Sequence, residues 1–180
     1  MIVKIFARDR YHADHGWLST YLLFSFAEYY DPKNTDFGAL RVFNDDTVAP
    51  HSGFSEHDHD NMEIVTIVHK GALTHRDSLG NTGTICAGDV QYMSAGTGVT
   101  HAEMNDGEES VHLYQIWLYP RERGLLPCYK QKNFSQFEKN ILVPVVSGEG
   151  LANTLPIRTD ATIYIGEFEA GKTIEHALAP

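Results

Sequence analysis

The stretch Asp89-Val90-Gln91-Tyr92-Met93-Ser94-Ala95-Gly96-Thr97-Gly98-Val99-Thr100-His101-Ala102-Glu103 decides the fold. Residues 89–93 have the β-branched and aromatic content of a strand, and Ala95-Gly96-Thr97-Gly98 supplies a tight turn. The chain then runs extended through Thr100-His101-Ala102-Glu103. Just upstream, residues 72–76 and 82–85 flank Arg76-Asp77-Ser78-Leu79-Gly80-Asn81, a hairpin because Gly80 and Asn81 tolerate positive φ. Ala87-Gly88-Asp89 is a further tight turn. Short runs at 21–26, 40–43, 64–68, 111–119, 141–145 and 162–168 continue the series between Gly, Pro, Asn and Asp punctuation, and helix signals are few. Short antiparallel strands joined this way close most economically as a barrel or sandwich. The chain is therefore expected to be all-β, with a small barrel from Phe37 to Tyr119.

Around that core the composition narrows the function. The 180 residues are 42% apolar and 21% charged, which suits a folded domain and not a disordered chain. No run approaches the ~20 apolar residues of a membrane helix, and Met1-Ile2-Val3-Lys4-Ile5-Phe6 lacks the apolar core of a signal peptide, so a cytoplasmic protein without a membrane partner is expected. A net charge of −10 argues against direct nucleic-acid binding. Cys86 and Cys128 are the only cysteines and stand in dissimilar contexts, so any metal must be held by His and carboxylate.

Ten histidines are the unusual feature. His57 and His59 lie two apart in Glu56-His57-Asp58-His59, a spacing that turns both imidazoles to one face of an extended chain. His101 and Glu103 repeat the geometry. Pairing the two segments brings three imidazoles and a carboxylate together, a set suited to Fe, Mn, Ni, Co or Cu and also to Zn. Glu63 keeps the parity of His59 if the strand is unbroken, and is expected to orient a ligand imidazole, with a fifth-ligand role as the alternative. The remaining histidines are expected at the surface, in cross-strand pairs on the hairpin (His69, His75), or at the barrel rim (His112).

The chain resembles the pirins, a branch of the cupin superfamily. The likeness rests on His15-Gly16-Trp17-Leu18, Phe24-Ser25-Phe26, Tyr29-Tyr30-Asp31-Pro32, Gly53-Phe54, His57-x-His59 and Met62-Glu63. It continues through Leu73-Thr74-His75-Arg76-Asp77-Ser78-Leu79-Gly80-Asn81, the run from Ala87 to Glu103, and His112-Leu113-Tyr114-Gln115-Ile116-Trp117. It is strongest to bacterial pirin-like proteins with quercetinase activity. The resemblance implies a jelly-roll barrel binding one metal, usually Fe(II), through His57, His59, His101 and Glu103. It also implies opening of a quercetin-like flavonol ring with O2 and release of carbon monoxide. Other pirins are metal- or redox-responsive regulatory or protein-interaction modules, the alternative reading. On this likeness residues 1–120 form the N-terminal cupin domain, 121–140 a connector, and 141–180 an incomplete second cupin half whose open edge invites a homodimer or swapped strands. Glu103 is expected to act as both ligand and acceptor of the flavonol hydroxyl proton, and Phe43, Phe54, Met93 and Trp117 to form the slot for the flat substrate.

Overall fold

The computed structural model describes residues 4–177; the ends of the two outer segments, residues 1–3 and 178–180, lie outside the described residues. Strands follow one another as β1 (Tyr11–Asp14), β2 (Leu18–Leu22), β3 (Leu40–Val48), β4 (Ser52–His59), β5 (Glu63–Lys70), β6 (Ala72–Asp77) and β7 (Thr82–Cys86). They continue as β8 (Asp89–Ser94), β9 (Val99–Asn105), β10 (Val111–Leu118), β11 (Cys128–Asn133), β12 (Val143–Ser147), β13 (Leu155–Pro156) and β14 (Thr162–Ile165). Among the described residues the only helical element is a 3-10 turn, Ala7–Asp9. None of their helices is long and apolar enough to cross a membrane.

Two antiparallel sheets form the body, a seven-stranded one in the order β1-β2-β3-β10-β5-β8-β11 and a four-stranded one in the order β4-β9-β6-β7. This is the expected all-β jelly-roll layout, with sheets that face each other but do not close into a complete barrel. The third sheet, β13-β12-β14, covers the outer face of the large one. That cover explains the uninterrupted burial of β5 and β8. Val65, Ile67, Val90 and Tyr92 point outward and pack on Val145, Val146, Leu155 and Ile157, while Ile64, Val68 and Met93 point into the body. Strands buried on both faces lose polar alternation and read as continuous apolar runs. The last forty residues thus bury their few strands on the first sheet rather than around a core of their own.

Several boundaries differ from the sequence expectation. The run at 21–26 is strand only as β2, because Ala27 takes a positive φ (49°) and Ser25 is hydrogen-bonded to Asp31 and Asn34, folding the chain back there. The connector contains β11, paired with β8 from Cys128↔Ser94 to Asn133↔Asp89. Its polar Lys and Gln content hid it, and on a sheet edge such residues are tolerated. Most consequentially, β3 does not stop at Phe43. Asn44-Asp45-Asp46 has the composition of a turn, yet strand pairing on both sides carries it through to Val48.

Glu63 does not keep the parity of His59. Asp60, Asn61 (φ 46°) and Met62 break the extended chain, and β5 restarts with Glu63 on the outward face. There Glu63 is fully buried and accepts hydrogen bonds from Tyr92 Oη (2.5 Å), Ser94 Oγ (2.6 Å) and the Arg158 backbone N–H (2.9 Å). It ties the chain just after β13 to the large sheet instead of addressing the histidines. Burial and the adjoining Glu63 carboxylate push the Tyr92 phenol well above its ordinary value. Glu63→Ala leaves three buried donors unpaired, so urea unfolding should show a loss of about 3 kcal/mol or more, with metal uptake unchanged.

Candidate metal centre

The site is built on β4 and β9, which pair with His57 directly across from His101 and Phe54 across from Glu103. Three steps on β4 thus match two on β9, a one-residue bulge between Phe54 and His57. Its effect is specific. Strict alternation would place Phe54 and His57 on opposite faces, whereas here Phe54, His57 and His59 all line one cavity with His101 and Glu103.

One ring nitrogen from each of His57, His59 and His101 lies within 4.8 Å of the others. Hydrogen bonds assign the tautomers of His57 and His101. His57 Nδ1–H donates to the Ser55 carbonyl (2.7 Å), which leaves Nε2 as a lone pair aimed at His101 Nε2, 3.0 Å away. His101 Nδ1 faces His75 Nδ1 at 3.4 Å, and His75 Nε2 meets Asp77 Oδ2 at 3.2 Å. With His75 donating to Asp77, its Nδ1 accepts from His101 Nδ1–H, and His101 Nε2 is again a lone pair. His59 Nε2 is buried with no hydrogen-bond partner. Two lone pairs converge beside the unpartnered His59 nitrogen, an arrangement that a divalent cation would satisfy. Burial, reinforced by repulsion among the neighbouring imidazoles, lowers His59 to about 4 and His101 to about 3, so both are neutral at physiological pH, the form a metal ion requires of an imidazole.

Glu103 occupies an adjoining place. It groups with His75 and His101, so the two clusters share His101, and it is not gathered with His57 and His59. Its Oε2 accepts from Gln115 Nε2 (2.7 Å) and its Oε1 from Gln91 Nε2 (3.1 Å). Thr66 Oγ1 bridges the two amides, donating to Gln115 Oε1 (3.0 Å) and accepting from Gln91 Nε2 (3.3 Å). The carboxylate is therefore held in one orientation by neutral donors from three strands of the large sheet.

His75, expected only in a cross-strand pair, is fully buried and stacks on Tyr129 with ring centroids 4.7 Å apart. Its anchor is set by the hairpin. Asp77 accepts from the backbone of Leu79 (3.0 Å) and Asn81 (2.9 Å), with Gly80 at φ 86°, and so presents its other oxygen to His75. The signal was in the sequence: His75 and Asp77 are two apart, like the other pairs. His75→Phe should weaken metal binding about 10- to 100-fold while conserving the fold. His75→Gln, whose side chain can still accept from His101, should recover part of the loss in a metal-competition titration. Of the other six histidines, His15 meets Glu28, His51 Glu108, His12 Ser19 and His112 Asp45, while His69 and His176 pack edge-on to Tyr114 and Tyr164.

The cavity above the imidazoles measures about 330 Å³. Of the four expected slot residues, Phe54 and Trp117 line it and Phe43 and Met93 do not. Phe43 alternates with Asn44 on β3, so it faces the outer layer and packs on Tyr114 at 5.1 Å. Met93 faces inward but is covered in a cluster with Ile64 and Val99. Trp17 and Phe26 take their places, set edge-on to Phe54 and Trp117 at 5.2 Å in each case. Asn44, Asp46 and Gln115 complete the wall.

Facing antiparallel sheets with an imidazole cluster between them define a cupin-type protein. The Pirin family model matches residues 5–118, and the chain belongs to the pirin family. A Pirin-like protein of Caulobacter vibrioides is 49% identical over 168 residues, covering 92% of this chain and 72% of the relative. A protein of Escherichia coli named quercetin 2,3-dioxygenase is 45% identical over 159 residues, covering 88% of this chain and 68% of the relative. The crystal structure of YhhW from Escherichia coli superposes with a TM-score of 0.84 at 44% identity, over 88% of this chain and 68% of that one. The same bacterial pirin in complex with nickel(II) gives 0.83.

Proposed function

We propose that the chain is an Fe(II)-dependent dioxygenase of the pirin type that opens the ring of quercetin-like flavonols, with His57, His59, His101 and Glu103 as ligands. The convergence of three imidazole nitrogens beneath an aromatic-walled cavity carries the reading, and relatives named quercetin 2,3-dioxygenase support it. Nickel in the Escherichia coli pirin supports a divalent first-row ion, and iron is the ion whose redox chemistry suits O2.

When bound, such an ion supplies Lewis acidity to the flavonol oxygen and one-electron chemistry toward O2. This chain's own groups do the rest. Trp17, Phe26, Phe54 and Trp117 exclude water and hold a flat aromatic molecule over the histidines. Glu103 accepts the proton of the flavonol hydroxyl on its carboxylate, with Gln91 and Gln115 fixing its orientation. The Asp77–His75–His101 chain keeps His101 Nε2 free of a proton. In the same reading residues 1–120 form a cytoplasmic cupin unit joined through 121–140 to a second half that offers edge strands to another copy.

The test pairs elemental analysis of protein purified without chelators with oxygen-uptake assays on quercetin, before and after reloading with Fe(II). One ion per chain and quercetin-dependent O2 consumption with carbon monoxide release are expected. Stoichiometric metal without any flavonol turnover would overturn the enzymatic reading.

A further inference from the structure

The cavity wall contributed by β3 differs from the rest. Asn44 and Asp46, two apart on the strand, turn to the same face and are only 5% and 2% exposed. Asn44 Oδ1 and Asp46 Oδ1 are buried and have no hydrogen-bond partner, and Thr20, opposite Asp46 on β2, is the side chain placed to offer the Asp46 carboxyl a hydroxyl. Such atoms are rare in folded proteins, since each costs ~1–3 kcal/mol. Both residues line not only the cavity over the histidines but also a smaller chamber that continues past Phe26 and Phe54 toward Thr20. Neighbouring strands leave them unsatisfied: Gln115, across from Asn44, commits its amide to Glu103, and Leu113 stands across from Asp46. Two unsatisfied oxygens on the wall of an aromatic slot form a receptor for hydroxyl groups.

We propose that Asn44 and Asp46 form a hydroxyl-recognising subsite that binds the end of the aromatic substrate remote from the histidines and selects polyhydroxylated over singly hydroxylated flavonols. This rests on the flavonol reading above and adds to it the specificity of the far end of the pocket. The hydroxyl donates to Asn44 Oδ1 or Asp46 Oδ1. A ligand lacking it leaves those oxygens buried and unpaired, which is the strongest form of discrimination a pocket achieves. Burial raises the Asp46 carboxyl to about 7, so near neutrality it both donates and accepts, as a phenol does.

The test compares binding of quercetin and of 3-hydroxyflavone, which carries only the hydroxyl nearest the carbonyl, to the metal-loaded protein under anaerobic conditions through quenching of Trp17 and Trp117 fluorescence. Wild type should bind quercetin at least about 10-fold more tightly. Asp46→Leu and Asn44→Leu, similar in volume but without the oxygens, should each reduce that ratio to about twofold or less by weakening quercetin alone. Both variants should still take up one metal ion per chain, because the histidines stand on other strands. If Asp46→Leu does not fold, Asn44→Leu carries the same comparison. Equal binding of the two ligands by wild type, or a ratio preserved in the folded variants, overturns the subsite and leaves the flavonol pocket standing. Failure of wild type to bind either ligand overturns both.

Discussion

His101→Ala should abolish stoichiometric metal binding, with a loss of more than about 10³-fold in affinity, and with it any quercetin-dependent oxygen uptake. The effect exceeds that of an ordinary ligand deletion because of where His101 sits. It is 1% exposed, belongs to both groups of donors, and is the only one of the three imidazoles wired through His75 to Asp77. Its removal leaves two imidazoles on β4 and the Glu103 carboxylate, which is gathered with His101 and His75 and not with those two, so no three donors remain grouped around one point. Elemental analysis after gel filtration reads the outcome directly. A His101→Ala protein that retains one ion per chain and wild-type turnover would refute the site.

Asp46→Asn should make the metal-free protein more stable than wild type at pH 9 by about 3 to 4 kcal/mol, with the difference vanishing toward pH 4. Burial raises the folded-state carboxyl from 3.8 to about 7; a side-chain hydrogen bond with Thr20 opposes the shift, the charges of Asp45 and Glu103 add to it, and His112 opposes it. A carboxyl with a raised folded pKa binds more protons folded than unfolded. Stability is therefore lost as pH climbs from about 4 through about 7, and the full penalty persists above that. His59 and His101 act in the opposite sense, since their depressed values favour the unfolded chain as pH falls below 6.5. They are common to both proteins and cancel in the difference. Urea midpoints at a series of pH values supply the curve. A flat difference would mean that Asp46 is solvated or paired, which would also weaken its role in ligand recognition. A buried acid that destabilises its own fold at working pH is what a binding wall built for a ligand looks like, since stability is commonly sacrificed at functional sites.

The motif level was legible in the sequence for a simple reason. Alternation in an extended chain is a local property, so His57-x-His59 and His101-x-Glu103 announce a shared face whatever surrounds them. The hairpin at Gly80 was legible too, because turn chemistry is local. Parity failed wherever the chain was not uniformly extended. Glu63 was misplaced by the break at Asn61, and Phe54 reached the cavity only through a bulge that pairing with β9 creates. Burial on two faces removed the alternation that would have separated Val65 and Tyr92 from Ile64 and Met93. Asn44 and Asp46 were hidden for the converse reason, since their side chains favour turns and only hydrogen bonding to β2 and β10 keeps them in a strand.

By itself, then, the sequence determined an all-β chain with its imidazoles and one carboxylate grouped in two short extended segments. The family pattern of residues 5–118 is of the same kind, since it is carried by local composition and spacing. Only the tertiary structure decided which groups complete the site. It brought in His75 as the partner of His101, sent Glu63 to the opposite layer, and set Asn44 and Asp46 against the aromatic slot. The physical reason is that a side chain's direction follows from its own backbone, whereas its partners follow from which strands are laid across it.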